Sequence, residues 1–129
     1  MKGLCLAFIL LLVSAIDLHA QTPYYQGKTI RIVTGYPAGD VNDLWPRLIA
    51  QHMTKYIPGN PSFIIQNMPG ASSMIAANYV SGVAKPDGLN LGWIAPTLYF
   101  DQLVGRKEVQ FDWAKYSFVG SPAQSDHQL

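Results

Sequence analysis

The sequence predicts an α/β domain with a mostly parallel sheet covered by helices on both faces. Two observations predict it. Short runs rich in β-branched and aromatic residues alternate with stretches of helical spacing, in the order β-α-β-α-β-α-β. Each passage from strand to helix is punctuated by proline, the first two with glycine as well. Right-handed crossovers restrict how such a chain winds. Ligands in sheets of this kind sit beyond the carboxyl ends of the strands, where the winding direction reverses.

The chain is organised around residues 29–47, TIRIVTGYPAGDVNDLWPR. Ile30, Ile32 and Val33 suit a buried strand, assigned to residues 28–34. Gly35 and Gly39 bracket a tight turn, with Pro37 fixing the backbone between them. Asn42 and Asp43 are candidate N-caps for a helix over residues 42–56. Its expected buried stripe is Leu44, Leu48, Ile49, His52, Met53 and Tyr56, and Pro46 falls in the first turn if the cap is Asn42 or Asp43. A helix start offers backbone N–H groups and partial positive charge to an anion. The plainer alternative is a βα corner that binds nothing.

Residues 58–61, PGNP, stop that helix. Residues 62–66 read as a second strand, and residues 67–73, NMPGASS, as a second glycine turn. Ser72 or Ser73 can cap a second helix reaching about Val83, with Ile75, Tyr79, Val80 and Val83 facing inward. Residues 85–88, KPDG, form a turn before a third strand over residues 89–95. Pro96 opens a third helical piece through Tyr99, Leu103 and Val104. Residues 109–113 fit no single period, and residues 116–120, YSFVG, read as a fourth strand. With the first strand central, the turns after the first two strands open at one edge, and two helix starts face one crevice.

Residues 1–20 have the form of a secretory signal peptide. Lys2 supplies the positive region, residues 4–16 the apolar core, and Ala20 a small residue before the cleavage point. That apolar run falls short of the roughly 20 residues of a membrane span; an uncleaved anchor is the alternative. Cys5, the single cysteine, lies inside this leader. Residues 21–129 therefore form one small cysteine-free domain, compatible with a periplasm. Nine Lys/Arg balance eight Asp/Glu, and no basic stripe interleaves with aromatics, which argues against a nucleic-acid partner.

Catalytic chemistry finds little support. Residues 35–39 match neither a P-loop nor a dinucleotide fingerprint. His52 reads as a partly buried structural residue, His127 lies in the tail, and neither has a carboxylate at ligand spacing. Ser72 and Ser73 lack a base, and Asp40 with Asp43 reads as a cap plus a solvated charge. The expectation is a non-enzyme without metal or cofactor.

Several motifs together resemble the Bug (TctC-like) family, periplasmic solute-binding proteins of tripartite tricarboxylate transporters. Residues 36–39, YPAG, with Asp43 and Arg47 resemble that family's first glycine turn. Asn67, residues 69–71 (PGA) and Ala76-Ala77 resemble its second, and residues 86–88 (PDG) with Leu91 its third turn and strand. Residues 120–122, GSP, resemble the following strand end. The resemblance implies a type II periplasmic-binding-protein lobe, no catalysis, a small carboxylate or similar polar solute, and membrane transporter subunits as partners. It implies a ligand site of Tyr36, Ala38, Gly39 and Asp43 in the first turn and Gly70, Ala71, Ser72 and Ser73 in the second. Ser72 and Ser73 stand where the family often has glycines, and Asp40 replaces a glycine of the first turn. Family members are more than twice as long, so residues 21–129 correspond to an incomplete first lobe, with the second lobe absent. The alternatives to a receptor are a small exported α/β protein that binds another protein, or a non-functional gene fragment.

Overall fold

The computed structural model describes residues 22–122. The leader assigned to residues 1–20, with Cys5 and its cleavage point, and His127 lie outside them. Three parallel strands form the sheet: β1 (Thr29–Thr34), β2 (Ser62–Asn67) and β3 (Asn90–Trp93), in the order β2-β1-β3. The first strand is central, which is the condition for the turns after β1 and β2 to open at one edge. Thr29 pairs with Ser62 and Thr34 with Asn67 on one side; Arg31 pairs with Asn90 and Thr34 with Trp93 on the other. Helices α1 (Val41–Met53), α2 (Met74–Gly82) and α3 (Leu98–Leu103) follow the three strands.

Ile30, Ile32 and Val33 are buried in β1, each contributing about 1.5–3 kcal/mol of apolar burial. Ala76 and Ala77 of α2 are fully buried, small enough for the helix to approach the chain closely. Beyond β3, Met74, Ala77, Ala95, Leu98 and Phe111 form a cluster, flanked by Tyr36, Val109, Trp113 and Tyr116. The Tyr116 hydroxyl donates to the Ala77 carbonyl at 2.8 Å, and burial raises that phenol to a pKa of about 12.

Four expectations are corrected. On α2 the inward face is Met74, Ala76 and Ala77, whereas of the residues expected there Ile75 and Val83 are exposed and Tyr79 and Val80 half-buried. Residues 116–120 form no strand: Tyr116 is drawn into the aromatic cluster, while Phe118 and Val119 are exposed. The cap of α1 is Asp40, whose Oδ1 accepts from the Asn42 amide at 2.8 Å. Pro46 therefore lies beyond the first turn, inside the helix, where its ring is buried and its missing N–H forfeits one helical bond. The stripe expected to be buried on α1 faces outward: Leu44, Leu48, His52 and Tyr56 are exposed and only Ile49 and Met53 are half-buried. The buried residues of the helix are Asp43 and Pro46.

This rotation has a direct consequence. Leu48→Glu keeps helix propensity and loses no core contact, so it should change stability by less than about 0.5 kcal/mol. A urea melt reads this; a loss of several kcal/mol would mean that Leu48 is covered in solution.

Candidate functional site

The carboxyl edge of the sheet is where the sequence-predicted residues meet. At the end of β1, the Gly35 amide donates to the Trp93 carbonyl at 3.0 Å, and the Met68 amide donates to the Thr34 carbonyl at 2.8 Å. The turns that leave β1 and β2 are thus side by side. Gly35 is packed against the second turn so closely that an added Cβ would lie 2.3 Å from Ser73 Cβ. The Ser73 hydroxyl donates to the Gly35 carbonyl at 3.3 Å. Ser73 holds the N-cap position of α2, but its side chain makes no capping bond, being spent on this cross-turn contact.

Asp43 is the knot of the first turn. Its side chain is wholly enclosed. Oδ2 accepts from the Gly39 amide at 2.9 Å and from Arg47 Nε at 2.8 Å. Oδ1 accepts from Asn67 Nδ2 at 2.7 Å and, more loosely, from Arg47 Nη2 at 3.4 Å. Asn67 Nδ2 also donates to the Tyr36 carbonyl at 2.9 Å, and its Oδ1 accepts from Arg47 Nη2 at 3.1 Å. The Arg47 hydrogen bond is the main influence holding the carboxyl below the ordinary aspartate range; burial opposes it, and the Gly39 and Asn67 donors assist. Four donors on one carboxylate close the turn over Gly39, whose φ of +86° suits glycine.

The family resemblance implied Asp43 as a ligand-site residue; the structure encloses its side chain beneath the first turn. With its side chain shielded and its oxygens engaged, Asp43 acts on the surface through Gly39 and Tyr36. Arg47 and Asn67 share this network, but only their place in the family-like motifs marked them in the sequence. The amides of Asn42, Asp43 and Leu44 are already bonded to Asp40, the first through its side chain and the others through its carbonyl. The first turn of α1 is therefore not the open set of donors expected of a helix start.

Ala38, Gly39, Gly70, Ala71 and Ser72 are exposed on this edge, Tyr36 is half-buried, and Asp43 and Ser73 are buried. After Gly70, the residues Ala71, Ser72 and Ser73 have φ of 45°, 52° and 74°. A run of three left-handed non-glycine residues costs about 1–2 kcal/mol apiece. Glycine at positions 72 and 73 would relieve that cost. The arrangement is an open edge: a groove along the amino edge of the sheet and another beside α1 contain none of these eight residues.

Comparison with known proteins gives a consistent picture. A UPF0065 protein of Cupriavidus necator, named for its place in the gbd 5′ region, is 33% identical over 97 residues. The chain is similar to UPF0065 proteins. That match takes in 75% of this chain and 29% of the relative. A UPF0065 protein of Bordetella bronchiseptica is 36% identical over 90 residues, which are 70% of this chain and 25% of that protein. The chain therefore spans less than a third of the length of these curated relatives. No protein-family model matches the chain, and no solved structure does.

Proposed function

We propose that the chain forms part of the first lobe of a Bug-type extracytoplasmic solute-binding receptor, taking a small carboxylate or related polar solute for a tripartite tricarboxylate-type transporter. UPF0065 is the family of the Bug and TctC-like proteins, and similarity to two of its members supports the reading. The observation that carries it is the cross-turn knot. Asn67, at the end of β2, holds both Asp43 and the Tyr36 carbonyl, so the two glycine turns present one edge. In this reading Ala38, Gly39, Gly70, Ala71 and Ser72 touch the solute with Tyr36 beside them, while Asp43 and Ser73 set the backbone. Binding involves no covalent step, and neither a metal nor a cofactor is required.

Two experiments test this. The chain expressed in a Gram-negative host should reach the periplasm and begin at Gln21, as N-terminal sequencing would read; an intact leader in the cytoplasm would oppose the localisation. The Cupriavidus necator relative, melted against di- and tricarboxylates, amino acids and aromatic acids, should be stabilised by at least one of them. A folded relative indifferent to the whole panel would count against the receptor reading.

A second reading, a protein-binding role, is favoured by the outward apolar face of α1. Leu44, Trp45, Leu48 and Tyr56 are all more than two-fifths exposed, and contiguous apolar surface of this kind marks interfaces. A stable monodisperse complex lost in Leu48→Glu would support that reading.

A further inference from the structure

Arg31 lies in the middle of the sheet, in β1, with Ile64 of β2 on one side and Asn90 of β3 on the other. It is half-buried, and its Nε is enclosed without an acceptor. Among the described residues its guanidinium makes one hydrogen bond, from Nη1 to the Tyr79 hydroxyl at 3.3 Å, a neutral partner. The other two arginines of the described chain each have a carboxylate: Arg47 has Asp43, and Arg106 has Asp101 and Glu108. Arg31 stands in no ion pair among those residues. A guanidinium carries five N–H donors, and arginine is seldom buried without an anionic partner. Its position on the sheet therefore leaves a charge for something else to neutralise.

Arg31 lines a groove of about 380 Å³ along the amino edge of the sheet. Thr29, Tyr79, Lys85 and Asn90 line it too, bringing a second cation, two hydroxyls and an amide. Asp87 is the one acidic side chain on the wall; its Oδ1 already accepts from the Leu89 amide at 3.0 Å and from Asn90 Nδ2 at 3.3 Å. The groove is at the opposite end of the strands from the two glycine turns.

We propose that this groove binds a small oxyanion, a phosphate, sulfate or carboxylate group, with Arg31 as its principal ligand and Lys85 as a second charge. Planar guanidinium suits these groups because parallel N–H donors meet paired oxygens. The hydroxyls of Tyr79 and Thr29 supply neutral donors on the rim, while the Asn90 amide is spent on the Lys85 carbonyl at 3.2 Å and on Asp87 Oδ1 at 3.3 Å. The site is separate from the solute edge and stands whether or not that edge binds a solute.

The test is a titration of the full chain, followed through the Arg31 Nε–H cross-peak in a ¹H–¹⁵N spectrum at constant ionic strength. Inorganic phosphate, sulfate and acetate are the probes, with chloride as the control. The Arg31 peak should shift saturably, with half-saturation at about 1 mM. Response to phosphate and sulfate alone assigns a tetrahedral oxyanion; response to acetate as well extends the site to carboxylates. Lys85→Ala should weaken binding about threefold, and Arg31→Gln should abolish it. In anion-free buffer Arg31→Gln should melt no lower than the parent, because it removes an uncompensated charge. A peak that no probe moves, or a drift that chloride reproduces, overturns the proposal. So does a steep loss of stability in Arg31→Gln without anion, which would make Arg31 a purely structural residue; the parent titration is independent of how any variant folds.

Discussion

Asp43→Asn is expected to destabilise the fold by about 2–3 kcal/mol at neutral pH. The substitution keeps the shape of the side chain and removes its charge, so the cost is that of the hydrogen bonds. Arg47 Nε at 2.8 Å, the Gly39 amide at 2.9 Å and Asn67 Nδ2 at 2.7 Å all require an acceptor. An asparagine offers one oxygen and turns an NH₂ toward donors, leaving at least one of them unsatisfied in an enclosed site. The pH dependence follows from the lowered carboxyl pKa. A carboxyl whose native pKa is depressed adds stability wherever the unfolded aspartate is ionised, above about pH 4. That contribution is lost as pH falls through the native value. The parent should therefore lose stability from about pH 4 downward, and the gap between parent and Asp43→Asn should narrow there. Urea melts across the acid range measure this. Curves that stay parallel would show that the carboxylate charge contributes nothing.

Gly35→Ala is expected to cost about 3 kcal/mol or more, and for a reason unrelated to backbone freedom. Its added Cβ would lie 2.3 Å from both Cβ and Oγ of Ser73 and 2.7 Å from Ser73 Cα. Backbone contact of that kind cannot be relieved by a rotamer change, and overpacking of 1–3 kcal/mol is a lower guide where the chain itself must shift. The two turns would separate at the point where the proposed solute edge is assembled. Ser73→Gly should recover part of the loss, since it removes two of the three atoms in the way and relieves the left-handed φ of 74° at that position. A double-mutant cycle by denaturant melts reads this coupling. Additive losses would mean that Gly35 and Ser73 do not touch in solution.

Much of the fold was legible because its signals are local. The β-branched run of β1 and the turns rich in glycine and proline fix the alternation of elements; the order β2-β1-β3 then meets the condition of a central first strand. The orientation of α1 was not legible. Its apolar spacing at Leu44, Leu48 and Tyr56 suggests a core face, yet Asp43 faces inward because Asn67, 24 residues away, holds its carboxylate. The cap was ambiguous for a related reason: Asp40, Asn42 and Asp43 are all competent caps, and Asp43 is taken by that long-range network. Residues 116–120 have strand composition but no strand beside them in the described chain, so side-chain packing against the aromatic cluster decides their path. At the candidate site, the two glycine turns were readable from turn chemistry, while Gly39, Gly70 and Ser72 were marked as site residues only by the family resemblance. The burial of Asp43 and the cross-turn role of Ser73 depend on contacts that no local pattern encodes.

The most direct test of the account is a backbone ¹H–¹⁵N titration of the chain with the carboxylate panel, which detects even millimolar binding. Saturable shifts are expected at the amides of Ala38, Gly39, Gly70, Ala71 and Ser72 and their neighbours, distinct from any at the Arg31 groove on the opposite end of the strands. A folded chain in which no member of the panel moves those amides, or in which the shifts gather on the exposed face of α1, would contradict it.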